Sequence, residues 1–310
     1  MDFLVIDFST IAFRSFFGEA KNNPLFFDSE ENIFKLRHNI LHTLFSHIDK
    51  TKIKIENVIL AIDSKKYWRA KYFENYKARR KLKRKSTDMD FNGFYKTVNI
   101  LIDDIQNNFP IKVLNIDYCE GDDICYILAK HLSEYYNVTI YSRDKDLYQV
   151  LRFKNVKLFN PDKKRNIVIT PDELKNKITR HILMGDSSDD IPNILSDSDV
   201  FITIGKRQKP FGEKTINKIF ENGEISKYLS EYKENVIRNK RLIDMEYIPE
   251  KLVKRVLESW KEESGKDVSA NDMITYLREN KMPNILSLIG INETKNRLKD
   301  MMKKMNKKRI

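Results

Sequence analysis

The chain has 310 residues, with 57 Lys or Arg against 45 Asp or Glu and a formal net charge of +12. This length buries one sizeable core and a smaller one without disulfides or structural zinc. Cys119 and Cys125 form no CxxC pair, which fits a reducing, cytoplasmic setting. The charge favours nucleic acid as a partner over an acidic membrane surface, although an AT-rich coding sequence also enriches Lys. Asp7 and Arg14 interrupt the apolar opening run, which excludes a signal peptide or membrane span.

Short apolar runs that end in acids alternate with longer helical patterns, which predicts an α/β fold with a mostly parallel central sheet flanked by helices. Apolar steps of three and four residues predict a first helix through residues 33–44, and strand patterns fade after about residue 178. We therefore expect an α/β domain over 1–180 and a helical domain over 181–310. The predicted strands are 3–7, 58–63, 113–116 and 138–142, and further helices are predicted near 94–107, 124–135, 253–260 and 273–277.

Acidic residues follow three of the predicted strands. Asp7 and Asp63 each end one strand, and Asp144 with Asp146 follows another. Two further acidic clusters, Glu120-Gly121-Asp122-Asp123 and Gly185-Asp186-Ser187-Ser188-Asp189-Asp190, precede a helix and a loop. A single such Asp is equally well a helix cap or a turn residue. Because ligands collect at the carboxyl ends of parallel strands, we expect the whole set to converge on one pocket.

Seven or more carboxylates in one pocket repel one another, by about 1 kcal/mol per close pair in water and about 4 kcal/mol at an effective dielectric of 20. Such a cluster requires cations. Ligands made of oxygen alone suit hard ions, so the sequence predicts Mg²⁺, with Mn²⁺ as a substitute. His38 and His42, at i and i+4 on the first predicted helix, are an alternative metal pair, although an ordinary helix face explains them as well.

A basic segment directly follows Asp63. Residues 65–85 hold eleven basic side chains against one acid, with aromatic residues between them. Basic groups neutralise phosphates and aromatic rings stack bases, so the segment predicts a basic arch over about 65–90 that clamps a single strand. The alternative is a solvated basic helix whose aromatic residues face the core. A second basic run, 295–309, is predicted to be a frayed helical tail.

Six motifs, taken in chain order, resemble those of the 5′-nuclease (flap endonuclease) superfamily, which has a PIN-like fold. They are Val5-Ile6-Asp7-Phe8-Ser9, Ala61-Ile62-Asp63, Tyr76-Lys77-Ala78-Arg79-Arg80, Glu120-Gly121-Asp122-Asp123, Ser142-Arg143-Asp144-Lys145-Asp146 and Gly185-Asp186-Ser187-Ser188-Asp189. Within the superfamily, segments 62–69 and 232–249 are similar to the RNase H (5′ to 3′ exonuclease) group of T-even bacteriophages. The resemblance runs from residue 3 to about residue 260.

The resemblance implies a role for each matching residue. The first of two metal ions would be held by Asp7, Asp63, Glu120 and Asp122, and the second by Asp144, Asp146 and Asp189. Asp123 and Asp186 would form the outer shell. Lys77 and Arg80 would be catalytic, at the scissile phosphate. The implied nucleic-acid contacts are Arg69, Tyr76, Lys83, Lys85 and Lys214.

The implied activity is that of a two-metal ribonuclease H, 5′ to 3′ exonuclease and flap endonuclease that removes RNA primers and adjoining DNA from lagging-strand fragments. Its partners would be DNA and RNA/DNA duplexes with 5′ ends or flaps. We expect a monomer without membrane attachment, in the host cytoplasm if a phage encodes it. A single-strand-binding protein or sliding clamp as partner stays open. Residues 193–215 are longer and more polar than the family's helix-turn-helix, so the geometry of duplex binding there also stays open.

Two other functions compete with this interpretation. A non-catalytic nucleic-acid-binding protein on the same fold would have lost some of the acids, whereas all seven proposed ligands are present. A PIN-type ribonuclease shares the carboxylate chemistry but usually lacks the long basic arch and the helical C-terminal part.

Overall fold

A computed structural model describes residues 1–20, 23, 25–80, 84 and 86–288, and a six-stranded sheet lies at its centre. Its strands are β1 (Asp2–Asp7), β2 (Val58–Ile62), β3 (Lys112–Asn115), β4 (Asn137–Tyr141), β5 (Val156–Asn160) and β6 (Arg165–Asn166). The spatial order is β3-β2-β1-β4-β5-β6, and only β6 runs antiparallel to its neighbour. The predicted mostly parallel sheet is confirmed. The sequence patterns missed β5 and β6.

Eleven α-helices lie wholly within the described residues. They are α1 (Phe8–Ala20), α2 (Glu30–Thr51), α3 (Trp68–Tyr72), α4 (Phe91–Asn108), α5 (Gly121–Leu132), α6 (Pro171–Met184), α7 (Glu213–Glu221), α8 (Ile225–Glu231), α9 (Lys233–Ile243), α10 (Glu250–Ser264) and α11 (Ala270–Glu279). Local caps fix several starts, such as the reciprocal Thr170 and Glu173 box that begins α6. In this part of the chain, no helix combines the length and apolarity needed to cross a bilayer.

The sheet is buried on both faces, which explains why its strands have nearly continuous apolar sequences. Successive side chains of β1 point to opposite faces, so Leu4 and Ile6 enter one core while Phe3 and Val5 enter the other. Helices α1, α2 and α4 cover the first face, and α5 covers the second. This layering presents the carboxyl ends of the parallel strands along one edge.

Residues 245–288 contribute to these two cores, and within this described range they form no separate core cluster. Leu252 and Val256 of α10 pack in the core on the α5 side, and Met273 and Leu277 of α11 pack in the core on the α2 side. The predicted boundary at residues 180 and 181 falls inside α6. The division into two domains stays a prediction. The helices between residues 245 and 288 share their cores with the sheet, whereas a separate smaller cluster is formed by Leu183, Ile194, Phe211, Ile216 and Ile219.

The strand register explains why distant acids meet. Asp7 pairs with Ala61, so Asp63 follows two residues later at the same edge. On the other side Ile6 pairs with Tyr141, which brings Ser142 and the acids after it beside Asp7. The parallel arrangement alone therefore gathers side chains more than 130 residues apart.

The shared core predicts that the C-terminal helices support the whole fold. Leu277 is fully buried, so Leu277→Ala should lower the free energy of unfolding by about 2 to 5 kcal/mol in a single denaturant transition. Ile237→Ala, at a residue 42% exposed, is the control and should change it by less than about 1 kcal/mol. Two separate transitions, with only one affected, would show that the region folds independently.

Candidate active site

Asp7 ends β1 inside a cradle of hydroxyl groups. Its Oδ1 accepts a hydrogen bond from Ser9 Oγ (2.7 Å), and its Oδ2 accepts from Thr10 Oγ1 (2.8 Å) and Ser142 Oγ (2.7 Å). Only 6% of Asp7 is exposed. These bonds fix the carboxylate at the sheet edge and leave it further lone pairs for a cation. The sequence analysis did not identify the three hydroxyl partners.

Asp63 follows β2 and faces the start of α5. Its Oδ1 accepts the backbone N–H of Gly121 at 2.7 Å. A Cβ on Gly121 would lie 3.2 Å from the Ala61 carbonyl oxygen, so only a small residue allows this close approach. Although water reaches the side chain, crowding by surrounding protein and then the charge of Asp7 raise the pKa of Asp63 to about 6.

Glu120 and Asp123 belong to a buried ion network around Arg69. Arg69 Nη1 lies 2.7 Å from Glu120 Oε2 and 2.8 Å from Asp123 Oδ1, and its Nε donates to the Leu242 carbonyl at 2.8 Å. Trp68 Nε1 donates to Asp123 Oδ2 at 3.0 Å. Asp123 is fully buried, and its predicted outer-shell role stays a prediction.

Two predicted nucleic-acid contacts need correction. Arg69 is only 3% exposed and is held by the network just described, so its guanidinium does not face solvent. Tyr76 is 6% exposed, and its hydroxyl donates towards Glu120 Oε2 (2.9 Å) and Asp189 Oδ2 (3.1 Å). Both side chains therefore hold acids of the site in place: Arg69 contacts Glu120 and Asp123, and Tyr76 contacts Glu120 and Asp189. Local sequence showed their charge and aromaticity but could not show their burial.

Lys77 and Arg80 reach the acids from the basic segment. Lys77 Nζ pairs with Glu120 and lies 3.4 Å from Asp189 Oδ2, while Arg80 Nη2 lies 2.6 Å from Asp189 Oδ1. Lys77 and Asp190 both adopt left-handed backbone conformations, with φ of 57° and 59°, which is strained for residues with a Cβ. The Lys77 N–H donates to the Asp189 carbonyl at 2.9 Å. This hydrogen bond joins the turn at Lys77 to the turn at Asp189 and Asp190.

The pKa values of the acids are shifted in different directions. Burial alone would raise the pKa of Glu120, but Lys77 and Arg69 outweigh it and lower the pKa to about 2. Burial and then the charge of Glu120 raise the pKa of Asp122 well above its usual range. Burial and the neighbouring Asp144 raise the pKa of Asp146 to about 7. Burial and a neighbouring acid therefore outweigh the nearby cations at Asp122 and Asp146.

His181 is a site residue that the sequence analysis missed. Its Nδ1 lies 3.4 Å from Asp146 Oδ1 and its Nε2 lies 3.4 Å from Asp186 Oδ2. Ser188 also donates to Asp186, through its N–H (2.7 Å) and its hydroxyl (2.6 Å). Although burial raises the pKa of Asp186, the bonds from His181 and Ser188 keep it well below its usual value. Asp186 lines the acidic cleft, and its predicted outer-shell role stays a prediction.

The acidic cleft is an open cavity of about 760 Å³. Asp7 and Asp63 lie close enough for the charge of Asp7 to act on both Asp63 and Asp144. The structure thus brings the seven predicted ligands together from five chain segments. The predicted site residues on the cleft wall are Lys77, Arg80, Asp122, Asp144, Asp146, Asp186 and Asp189.

The donor set fits hard divalent cations. The oxygens of Glu120, Asp122 and Asp123 lie within 4.8 Å of one another, and Asp122 and Asp146 are poorly neutralised. Carboxylate oxygens without sulfur ligands suit Mg²⁺ or Mn²⁺. In the described residues, no cluster of metal-ligating side chains includes His38 or His42, whose rings stack on each other. The individual ligand assignments stay predictions.

Most aromatic side chains of the basic segment are buried and are therefore not available to stack on bases. Trp68, Phe73 and Tyr76 are buried in apolar clusters, as the solvated-helix alternative expected, while Tyr72 is 40% exposed. Lys83 and Lys85 lie outside the described residues, as does the basic run 295–309. Lys214 is exposed on α7 and does not line the acidic cleft.

The loop between α6 and α7 folds back on itself around Asn193. The Asn193 N–H donates to Gln208 Oε1 (2.8 Å), and its Nδ2 donates to the Lys209 carbonyl (2.9 Å). Gly185, with φ of +69°, begins the turn because a Cβ there would meet the Ile191 and Pro192 carbonyl groups. The predicted helix-turn-helix is therefore two helices joined by a long, internally bonded loop.

Comparison with known proteins establishes the family. The family model described as "5'-3' exonuclease, N-terminal resolvase-like domain" matches residues 2–179. The chain belongs to the 5′-3′ exonuclease family. A second model, "T4 RNase H, C terminal", matches residues 173–293 of this family member. The predicted superfamily and the nuclease class are therefore confirmed.

Relatives of this exonuclease-family chain include the Ribonuclease H of Enterobacteria phage T4, which is 29% identical over 266 residues covering 82% of this chain and 84% of the T4 protein. A 5'-3' exonuclease of Buchnera aphidicola is 29% identical over 200 residues, 62% of this chain and 64% of that protein. The zinc-bound T5 5'-exonuclease has the same fold, with a TM-score of 0.61, 16% identity and coverage of 93% of this chain and 99% of that one.

The buried network predicts a structural role for Arg69. Arg69→Met leaves Asp123 buried without its cation and Glu120 with Lys77 alone, so it should lower the free energy of unfolding by about 3 to 5 kcal/mol in urea denaturation. Arg241→Met, at an exposed arginine of α9, is the matched control and should change it by less than about 1 kcal/mol. An Arg69 variant of normal stability with weakened nucleic-acid binding would restore the surface-contact interpretation.

Proposed function

We propose that the protein is a divalent-metal-dependent 5′ to 3′ exonuclease and flap endonuclease with RNase H activity. The observation that supports this most is that acids from five segments gather at one place: Asp122, Asp144, Asp146 and Asp189 line the cleft with Lys77 and Arg80. Asp7, Asp63 and Glu120 lie beside it, close enough to act electrostatically on its acids or to pair with Lys77. Asp7, Asp63, Glu120 and Asp122 would hold one ion, and Asp144, Asp146 and Asp189 a second. When bound, such ions lower the pKa of a water molecule and stabilise the attacking and leaving oxygens.

The protein's own side chains have separate tasks in this proposal. The hydroxyls of Ser9, Thr10 and Ser142 hold Asp7 in one orientation at the sheet edge. Lys77 and Arg80 leave their acids when cations and substrate bind, and they then neutralise charge on the scissile phosphate. Fixed cations of this kind contribute several kcal/mol of transition-state stabilisation. For comparison, loss of a single hydrogen-bond donor at such a position costs about 2.7 to 4 kcal/mol.

The proposed substrates are DNA and RNA/DNA duplexes with 5′ ends or flaps, and the proposed role is removal of RNA primers and adjoining DNA during replication. The relative from phage T4 is a Ribonuclease H. The T5 D15 flap endonuclease, which shares the fold at a TM-score of 0.59 and 18% identity over 93% of this chain and 99% of that one, has been solved with DNA and metal ions. Both support a flap or primer substrate here.

A binding protein without catalysis is less well supported, because every proposed ligand is retained. A PIN-type ribonuclease is also less well supported, since such an enzyme usually lacks a helical C-terminal part, whereas the helices between residues 245 and 288 contribute to both cores of the sheet here.

The function is tested with a labelled 5′-flap substrate in Mg²⁺. Wild type should cut near the junction between flap and duplex. Asp122→Asn and Asp146→Asn should each lower turnover by more than about a hundredfold while leaving binding in EDTA largely intact, because loss of a direct ligand should exceed the roughly 10–100-fold effect of losing an outer partner.

Asp172→Asn, at an exposed acid of α6, is the matched control and should cut normally. Wild-type turnover in either site variant would refute the ligand assignment. Cutting of plain single-stranded RNA without any flap cleavage would favour the PIN-type ribonuclease instead.

Metal binding should also stabilise the fold, because the ions relieve repulsion that exists only when the cleft is assembled. At Mg²⁺ a hundred times above its dissociation constant, we expect about 2.7 kcal/mol of stabilisation and a higher melting temperature. The double variant Asp122→Asn/Asp146→Asn should lose this increase. An equal increase with NaCl at matched ionic strength would assign it to general screening.

A further inference from the structure

The second half of α9 and the residues that follow it contact three parts of the site. We call residues 238–245 the α9 bracket. Its Leu242 carbonyl accepts the hydrogen bond from the buried Arg69. The bracket also contacts the loop that carries Asp189 and the 3₁₀ helix Asp146–Arg152. These last two segments both carry proposed ligands of the second ion.

Asn239 of the α9 bracket closes the loop that carries Asp186 and Asp189. Its side chain is fully buried, and its Nδ2 donates to the carbonyl oxygens of Ile182 and Pro192, each at 2.8 Å. These two carbonyls lie on either side of the loop, so a single amide group holds the two ends of the loop together. The position of Asp189 is therefore tied to a side chain of α9.

Arg238 orients the amide of Asn239. Its Nε donates to Asn239 Oδ1 at 2.9 Å, so the amide oxygen faces the guanidinium and Nδ2 faces the loop. The same guanidinium donates through Nη2 to the Pro192 carbonyl at 3.2 Å and through Nη1 to Asn235 Oδ1 at 3.0 Å. The oxygen and both N–H groups of the Asn239 amide thus have partners, which holds this side chain in one orientation.

Gln149 makes the corresponding attachment for the 3₁₀ helix that begins at Asp146. Its side chain is 3% exposed. Its Nε2 donates to the Ile243 carbonyl at 2.9 Å, and its Oε1 accepts the N–H of Met245 at 3.0 Å. The two bonds hold the 3₁₀ helix, and with it Asp146, against the α9 bracket.

Asp146 and Asp189 are thus attached to the same short stretch of chain, although they come from separate segments. Ligands bind an ion tightly when their spacing is fixed before the ion arrives, because little ordering is then required. Resting on the proposed function, we propose that Asn239 and Gln149 are positioning residues for the second ion. Through the α9 bracket they set the distance between Asp146 and Asp189, which gives the C-terminal region a part in metal binding.

The test measures metal binding and requires no turnover. Mn²⁺ is titrated into the protein, and free Mn²⁺ is measured by electron paramagnetic resonance, which gives the number of bound ions and the affinity of each. Asn239→Ala and Gln149→Leu each remove one attachment. Loss of an outer partner of a metal ligand costs roughly 10–100-fold in affinity. Each variant should therefore bind the second ion more weakly by about that factor, with the affinity for the first ion unchanged.

Asp189→Asn identifies the second ion and separates positioning from a general loosening of the fold. This variant removes a direct ligand, so it should lose the second ion and keep the first. In that background the loop has no ligand left to position, and adding Asn239→Ala should not weaken the remaining ion. A further loss there would show that Asn239 supports the fold as a whole and would contradict a positioning role.

Two control variants should bind both ions as the wild type does. Asn108→Ala removes an amide that also donates to a backbone carbonyl, that of Asp104 at 2.9 Å, on α4 and outside the acidic cleft. Leu277→Ala lowers the stability of the core without altering the cleft. Circular dichroism checks that every variant is folded, and Gln149→Leu, which acts on a different segment, decides the matter if Asn239→Ala does not fold.

Unchanged affinity for the second ion in folded variants, equal losses for both ions, or an equal loss in Leu277→Ala would each overturn the proposal. Failure of the proposed nuclease function is seen separately, as wild-type protein that binds no Mn²⁺ in the acidic cleft or does not cut a 5′-flap substrate in Mg²⁺.

Discussion

Repulsion among carboxylates at one sheet edge is the constraint on which the rest of the molecule depends. Parallel strands deliver their carboxyl-terminal residues to the same edge, and here three strands deliver Asp7, Asp63 and the pair Asp144 and Asp146. Each close pair costs about 4 kcal/mol at an effective dielectric of 20. A fold that tolerates this arrangement needs positive charge at the edge, either from its own side chains or from bound ions.

The molecule supplies its own cations to only part of the cluster. Glu120 and Asp123 receive the buried Arg69, and Asp189 receives Arg80. The same Arg69 bonds the Leu242 carbonyl of α9, so the C-terminal region is connected directly to the site. Burial, and then the charges of Glu120 and Asp144, raise the pKa values of Asp122 and Asp146, and the nearby cations do not offset these effects. The acids that are paired with arginine hold the site together, whereas Asp122 and Asp146 are suited to bind ions.

The sequence was informative wherever a local pattern had one structural outcome. Buried parallel strands are short apolar runs, and an acid after such a run must lie at the sheet edge, so the strands β1 to β4 and the cluster of acids were predictable. The short β6 has no such pattern. The burial of Arg69 and Tyr76 was not predictable either, since their partners lie 51 and 44 residues away at Glu120. His181 contacts Asp146 only because α6 packs beside the site.

The central claim is that the clustered acids form one site for paired hard cations. Crystals soaked in Mn²⁺ and measured for anomalous scattering test it most directly. The account predicts two peaks about 3.5 to 4 Å apart in the acidic cleft, one beside Asp122 and one beside Asp146. Peaks confined to other surfaces, such as His38 and His42, or an acidic cleft without any peak at saturating Mn²⁺, would contradict it.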